Sequence, residues 1–364
     1  MKRHQSTVAR WIGLFLTVSL FASCAKKESK PTAPGTRPPF EPIGAFDQAA
    51  LMGRGVNLGN ALEAPDEGDW GLILQAEYFR LIAGAGFNHV RIPITWATHI
   101  LLDLPPYPVD PGFFDRVDWA VDQALDNGLI AVVNHHHYDA LDADPERTGL
   151  NAPRDIFLGI WRQISERYRD YSNTVIFEIN NEPHGRFNAA NWDALWKETL
   201  AVIRETNPER NVIVGPIDWN SIYALNTLRL PDPEEDAHLI VTFHYYNPHR
   251  FTHQCAAWAG DPDCNWLGTT WGTDAEYNTV MNDFRNAVQW AEGVNRPLYL
   301  GEFGVYERAD MDSRVRWTGH LARTAEAYHI PWAYWEFGAG FGIYDREANA
   351  WRTRLLGALI PTEG

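Results

Sequence analysis

Cysteine is scarce, with three in 364 residues. A scaffold built on disulfides is excluded, since such folds carry many pairs in a short chain. Positive charge is also short: 31 Lys and Arg face 47 Asp and Glu, a formal net charge of −16. A polyanion is a poor partner for such a chain, and no nucleic acid is expected. The apolar run from Trp11 to Ala22 is too short and too weakly flanked for a membrane span. A glycine-rich phosphate loop is missing too. In Gly53-Arg-Gly-Val-Asn-Leu-Gly59 the glycines lie within a strand candidate instead of opening a helix, which argues against a doubly wound nucleotide-binding sheet. No repeat and no second domain is evident.

What is present begins with a leader. Lys2, Arg3 and Arg10 precede the apolar run, so residues 1–23 read as a basic region and a hydrophobic region of signal-peptide length. Leu20-Phe21-Ala22-Ser23-Cys24 resembles a bacterial lipoprotein processing box, although Phe21 stands where an aliphatic residue is usual. That resemblance implies lipidation of Cys24; an ordinary signal peptide with an incidental cysteine is the alternative. Residues 24–44 are rich in Lys, Ser and Pro with no period, the composition of a disordered tether. The expected location is exported, either lipid-anchored at the cell envelope or extracellular, with membrane contact only through Cys24. In an exported chain Cys255 and Cys264, close together in a polar stretch, suggest a local disulfide. Two thiols alone are too few for a metal site.

From residue 45 to 364 short apolar runs alternate with segments of helical period, the pattern of βαβ units. The strand candidates are 55–58, 88–93, 129–134, 174–180, 211–215, 238–243, 297–301 and 331–335. Helices are expected over about 73–84, 113–127, 154–171, 189–206, 220–229, 275–293, 312–328 and 348–360. Eight strands, each followed by a helix, predict an α/β protein, a single (β/α)8 TIM barrel whose chemistry gathers at the C-terminal strand ends.

One stretch dominates that rim. Val175-Ile176-Phe177 reads as a buried strand, and Asn181-Glu182-Pro183 ends it, since proline cannot donate to the ladder. A carboxylate is thereby held at a strand lip. Pro297 to Gly304 repeats the device with Glu302, and Gly301 and Gly304 allow close backbone approach. Two carboxylates so placed are the minimum equipment for glycoside hydrolysis. The other strand ends carry Asn60, Arg91, His135 to His137, Trp219, His244, Tyr246, Trp335 and Glu336, a rim too polar to be explained by packing. Sixteen Trp and fourteen Tyr also suit a groove for sugar rings.

These residues resemble the family-5 glycoside hydrolases, in the endoglucanase branch. The matching motifs run in family order from about Gly53 to the C-terminal helix: Gly55 to Asn60, Gly86 to Pro93, His136-His137-Tyr138, Phe177 to Pro183, Phe243 to Pro248, Leu300 to Gly304 and Trp332 to Phe337. The resemblance implies a retaining endo-β-1,4-glucanase with Glu182 as acid/base and Glu302 as nucleophile. It implies that Arg91 and Tyr246 support Glu302, that Asn181 binds the sugar 2-hydroxyl, and that His136, His137 and His244 position the reacting sugar and Glu182. Trp335 would floor that sugar, Asn60 would touch its neighbour, and Trp219 is either a further stacking ring or a rim tryptophan. The charge on Glu302 is expected to raise the pKa of Glu182. Glu178 and Glu336 are expected to be structural.

A β-1,4-mannanase or dual enzyme with the same mechanism is the alternative; a non-catalytic glycan-binding surface protein is a second. A metal-dependent hydrolase, suggested by His135-x-His137, lacks further His and Asp ligands at later strand ends. No cofactor and no metal are expected, the partner is a β-1,4-linked polysaccharide, and the chain is expected to be a monomer.

Overall fold

The computed structural model describes residues 38–101 and 105–361; the expected leader and Cys24 lie outside them. Eight parallel strands form a closed barrel in chain order. They are β1 Arg54–Asn57, β2 His89–Ile92, β3 Ile130–Asn134, β4 Val175–Glu178, β5 Val212–Val214, β6 Leu239–His244, β7 Leu298–Phe303 and β8 Trp332–Tyr334. Helices connect them, so the chain is a (β/α)8 TIM barrel, as its alternating pattern predicts.

The two-residue period of each strand sorts its side chains between two cores. Inward-facing Ile130, Val132, Ile176, Ile213, Ile240, Tyr299 and Ala333 fill the barrel. Their neighbours Val90, Val133, Phe177, Val214, Val241 and Leu300 face out and pack under the helices. Farther along the same inward faces the side chains turn polar: Arg91 follows His89 on β2, and Glu178 follows Ile176 on β4. The apolar filling thus occupies the lower barrel, and the charged residues lie toward the C-terminal ends.

The lower end is plugged by α1, Ala45–Met52, which the sequence analysis did not anticipate. Its buried Ala45, Ala49 and Met52 are spaced by four and three, one helical face. Residues 38–44, the last of the expected tether, lie against the barrel. Phe40 sits 4.9 Å under the Arg210 guanidinium, and the Ile43 carbonyl accepts from Asn211 Nδ2 at 3.0 Å.

Several helix starts follow from their caps. Asp110 accepts from the Phe113 N–H ahead of Pro111–Asp126. Capping boxes at Asn188 with Asn191 and at Thr273 with Glu276 open Ala189–Arg204 and Asp274–Val294. The expected helix at 220–229 is instead a left-handed turn at Asp218, Trp219 and Asn220 (φ 58°, 57° and 53°) followed by a 3-10 helix, Ile222–Thr227. The last helix shortens to Thr353–Leu359, because Ala350–Trp351 pairs with Tyr344–Asp345 in a small antiparallel ribbon. Among the described residues no helix is long and apolar enough to cross a membrane.

Candidate active site

Arg91, fully buried on β2, organises the polar layer. Its Nε and Nη2 donate to the two oxygens of Glu178 at 2.6 and 2.8 Å. Nη1 donates to Asn57 Oδ1 at 2.9 Å and to Glu302 Oε1 at 2.6 Å, and Nη2 also donates to Asn181 Oδ1 at 2.8 Å. All five guanidinium N–H groups are therefore used. Glu178 is a structural partner of Arg91, as its inward position on β4 suggests.

Glu302 lies on β7 where the ladder to β8 loses its register between Leu300 and Phe303, an irregularity of the kind that re-aims a side chain. Its second oxygen accepts from the Tyr246 hydroxyl at 2.9 Å. The flanking glycines are required: a Cβ on Gly301 would lie 2.6 Å from Thr242 Oγ1, and one on Gly304 would lie 2.0 Å from the Trp335 carbonyl. Glu182 follows β4, with φ 49°. Its Oε1 lies 2.7 Å from His244 Nδ1, which is 3.7 Å from Glu302 Oε2. An oxygen of each glutamate lies within 4.8 Å of the other and of that nitrogen.

The two carboxyls have unequal surroundings. Burial raises Glu182 to about 7; Glu178 adds to this, while Arg91 and His184 oppose it. The expectation that the charge on Glu302 does this is corrected: desolvation is the main cause, and the carboxylate that adds to it is Glu178. Burial also raises Glu302, opposed by His244 and Arg91, then pushed up by Glu182 and lowered by the Tyr246 hydrogen bond. Repulsion is mutual, and the shared proton belongs on the carboxyl with fewer donors, Glu182. Burial holds His244 down at about 4, so its imidazole is neutral at ordinary pH.

Above this pair opens a cleft of about 1240 Å³. Asn60, His136, His137, Asn181, Glu182, Trp219, His244, Tyr246, Glu302 and Trp335 all line it. Arg91 does not; it acts from behind. Trp335 lies face to face with His136, ring centroids 5.6 Å apart and planes 5° apart. Three tryptophans are exposed among the described residues, Trp70 (45%), Trp219 (57%) and Trp258 (68%), and all three line this cleft. Exposed apolar rings gathered in one cleft, unlike rings scattered singly, mark a binding groove. Trp219 stacks on His184 at 5.1 Å, and Trp258 rides on the loop closed by the Cys255–Cys264 disulfide.

The sequence reading missed Glu63, Trp70, His184 and Trp258 in this lining. Burial raises Glu63 to about 8, and it accepts from the N–H groups of Asn60 and Ala61. Its spacing three residues after Asn60 was the available signal. His135 is not in the lining and packs edge-on against Phe157 at 4.8 Å. β3 ends at Asn134, so strand alternation does not carry His135 and His137 to one face. Glu336 is buried and accepts from the N–H groups of Gly338 (2.7 Å), Ala339 (2.7 Å) and Phe341 (3.2 Å), a structural role. Among the described residues, the one group of three with convergent metal-ligand atoms is Glu182, His244 and Glu302.

A family model described as cellulase (glycosyl hydrolase family 5) matches residues 53–340. Endoglucanase H of Acetivibrio thermocellus is 37% identical over 336 residues, covering 90% of this chain and 35% of that protein. Endoglucanase A of Ruminococcus albus is 28% identical, covering 85% of this chain and 90% of its own length. Thermotoga maritima Cel5A, solved with mannotriose and with cellobiose, superposes with a TM-score of 0.83 at 44% identity over 87% of this chain and 100% of its own. The chain spans little more than a third of the first two curated relatives, 35% and 37% of their lengths.

Proposed function

Since this chain belongs to the cellulase family, glycosyl hydrolase family 5, we propose that it is a retaining endo-β-1,4-glucanase. One observation carries the mechanism: two glutamate oxygens within 4.8 Å of each other, in carboxyl groups with unequal donors. Retaining enzymes hold their carboxyls about 5–5.5 Å apart, whereas inverting ones leave roughly 6.5–9.5 Å for a water.

Glu302, ionised against Arg91 and Tyr246, attacks the anomeric carbon while Glu182 gives its proton to the departing glycosidic oxygen. The C–O bond to the leaving sugar breaks as the bond to Glu302 forms. In the second step Glu182, now a carboxylate, takes a proton from water, which attacks the same carbon and releases Glu302. Arg91 holds Asn181 Oδ1 at 2.8 Å, which leaves the Asn181 Nδ2 to donate to the sugar 2-hydroxyl. The neutral His244 braces Glu182, Trp335 floors the reacting sugar with His136 behind it, and Asn60 and Trp219 serve neighbouring rings.

A dual β-glucanase and β-mannanase is the second reading. It is favoured by a 44%-identical relative that was captured with both cellobiose and mannotriose. We further propose export with lipid attachment at Cys24, a tether, and a monomeric catalytic domain held at the cell envelope.

The test is digestion of carboxymethyl cellulose and glucomannan by wild type and Glu302→Ala, with the product anomer read by NMR. The β-anomer should form first, and the variant should lose at least about 10³-fold. Cleavage of mannan alone would move the substrate and keep the chemistry. A fully active Glu302→Ala, or initial α-anomer, would overturn the mechanism.

A further inference from the structure

The left-handed turn after β5 buries one side chain completely, that of Asn220, and it lies outside the cleft lining. It reaches behind the acid. A Cβ on Gly215 would lie 2.2 Å from its amide, so glycine at 215 makes room for it.

The amide has three neighbours. The Pro216 carbonyl can only accept, and the Glu182 N–H can only donate. These two fix the orientation: Asn220 Nδ2 donates to Pro216 O at 3.0 Å, and Oδ1 accepts from Glu182 N at 3.3 Å. The atom that faces Glu182 also lies 3.3 Å from His244 Nε2. With an oxygen there, Nε2 carries the hydrogen. A neutral imidazole has one N–H, so Nδ1 is then bare, and Nδ1 is the atom 2.7 Å from Glu182 Oε1.

We propose that Asn220 is a positioning residue that fixes the His244 proton on Nε2, leaving Nδ1 to accept the proton of Glu182. A bond that needs the protonated carboxyl disfavours its ionisation. The opposite tautomer would donate from Nδ1 and favour the carboxylate. The same amide also holds the backbone of Glu182. The inference rests on the proposed role of Glu182 as acid, and it explains how that acid keeps its proton beside Arg91.

Other groups also face the Glu182–His244 pair. Arg91 and Glu178 approach from β2 and β4, and Glu302 from β7. His184 and, behind it, Asp142 stand beside Glu182, with Tyr246 above the strand ends and His136 beside His244. All are common to wild type and Asn220→Ala, so a difference between those two proteins reports Asn220.

Two measurements test this. The first is 15N NMR of histidine-labelled full-length protein near neutral pH, with the His244 signals identified by their loss in His244→Gln. Protonated Nε2 with bare Nδ1 is expected; the reverse tautomer would overturn the proposal, whether or not any variant folds. The second is the pH profile of kcat/KM on carboxymethyl cellulose. In Asn220→Ala the basic limb should fall by about one pH unit as the other tautomer becomes available. Asn220→Asp keeps the acceptor and should not lower it. An unmoved limb in Asn220→Ala, or an equal fall in both variants, would assign Asn220 a purely structural part. If no β-glucan or mannan is cleaved at all, the functional reading fails, while the tautomer measurement still decides this one.

Discussion

Replacing Arg91 with lysine separates geometry from charge. Arginine at this site donates five hydrogen bonds, to Glu178 twice and to Asn57, Glu302 and Asn181 once each. A lysine ammonium has three N–H groups, so at least two of these bonds are lost while the positive charge stays. Hydrogen bonds to charged groups contribute about 1.5–3 kcal/mol each, so the loss is about 3–6 kcal/mol. With a melting entropy of about 2.1 cal/mol/K per residue over ~320 folded residues, that corresponds to a Tm lower by roughly 4–9 °C. The bond to Glu302 carries a second consequence. If it is among those lost, the nucleophile is less readily ionised, and the acid limb of kcat/KM moves to higher pH. Thermal unfolding followed by circular dichroism gives the first quantity, and a pH profile on carboxymethyl cellulose gives the second. An unchanged Tm would refute the five-bond account. A lower Tm with an unmoved acid limb would show that the lysine keeps the bond to Glu302 and loses those to Glu178, Asn57 or Asn181.

Other perturbations read other parts of the site. Burial places the Glu182 pKa at about 7, and an acid works only while protonated, so kcat/KM should hold below that value and decline as pH rises through it; a profile flat to about pH 9 would contradict the assignment. EDTA should leave turnover on β-glucan unchanged, whereas loss of activity restored by a divalent ion would sink the two-carboxylate mechanism. Cys255→Ser opens a loop of nine-residue separation, which should cost about 2.5 kcal/mol and raise KM more than it lowers kcat, because Trp258 loses its mount; an unchanged KM would show that Trp258 does not bind the chain.

The strands were readable because a buried parallel strand must be a short β-branched run, and Val175-Ile176-Phe177 or Val212-Ile213-Val214 can hardly be anything else. Glu182 and Glu302 were readable because a barrel delivers every strand end to one rim. The plug Ala45–Met52 was passed over although its apolar spacing was present; proximity to the Pro-rich segment hid it. Asn220 and His184 were out of reach for a different reason. Their roles depend on a left-handed turn and on a stack with Trp219, both set by loop geometry with no periodic signature. Trp70 and Trp258 also stand on loops, where an exposed tryptophan becomes meaningful only once its neighbours in space are known.

The division of labour between the glutamates follows from a charge count. Among the described residues, one permanent cation, Arg91, lies beside Glu178, Glu302 and Glu182, and it bonds directly to the first two only. His244 is held neutral by burial, so three ionised carboxylates would leave two negative charges uncompensated in a buried site. Retaining one proton is the cheaper arrangement. It settles on Glu182, which has no guanidinium contact and rests on an imidazole nitrogen. In the mechanism proposed above, ester formation at Glu302 removes one of those negative charges. Arg91 and Glu178 then form a neutral pair, and Glu182 can ionise without a second buried anion beside it. Loss of the Glu302 charge thus eases ionisation of Glu182, which can act as base in the second step, while desolvation remains the main cause of its raised pKa.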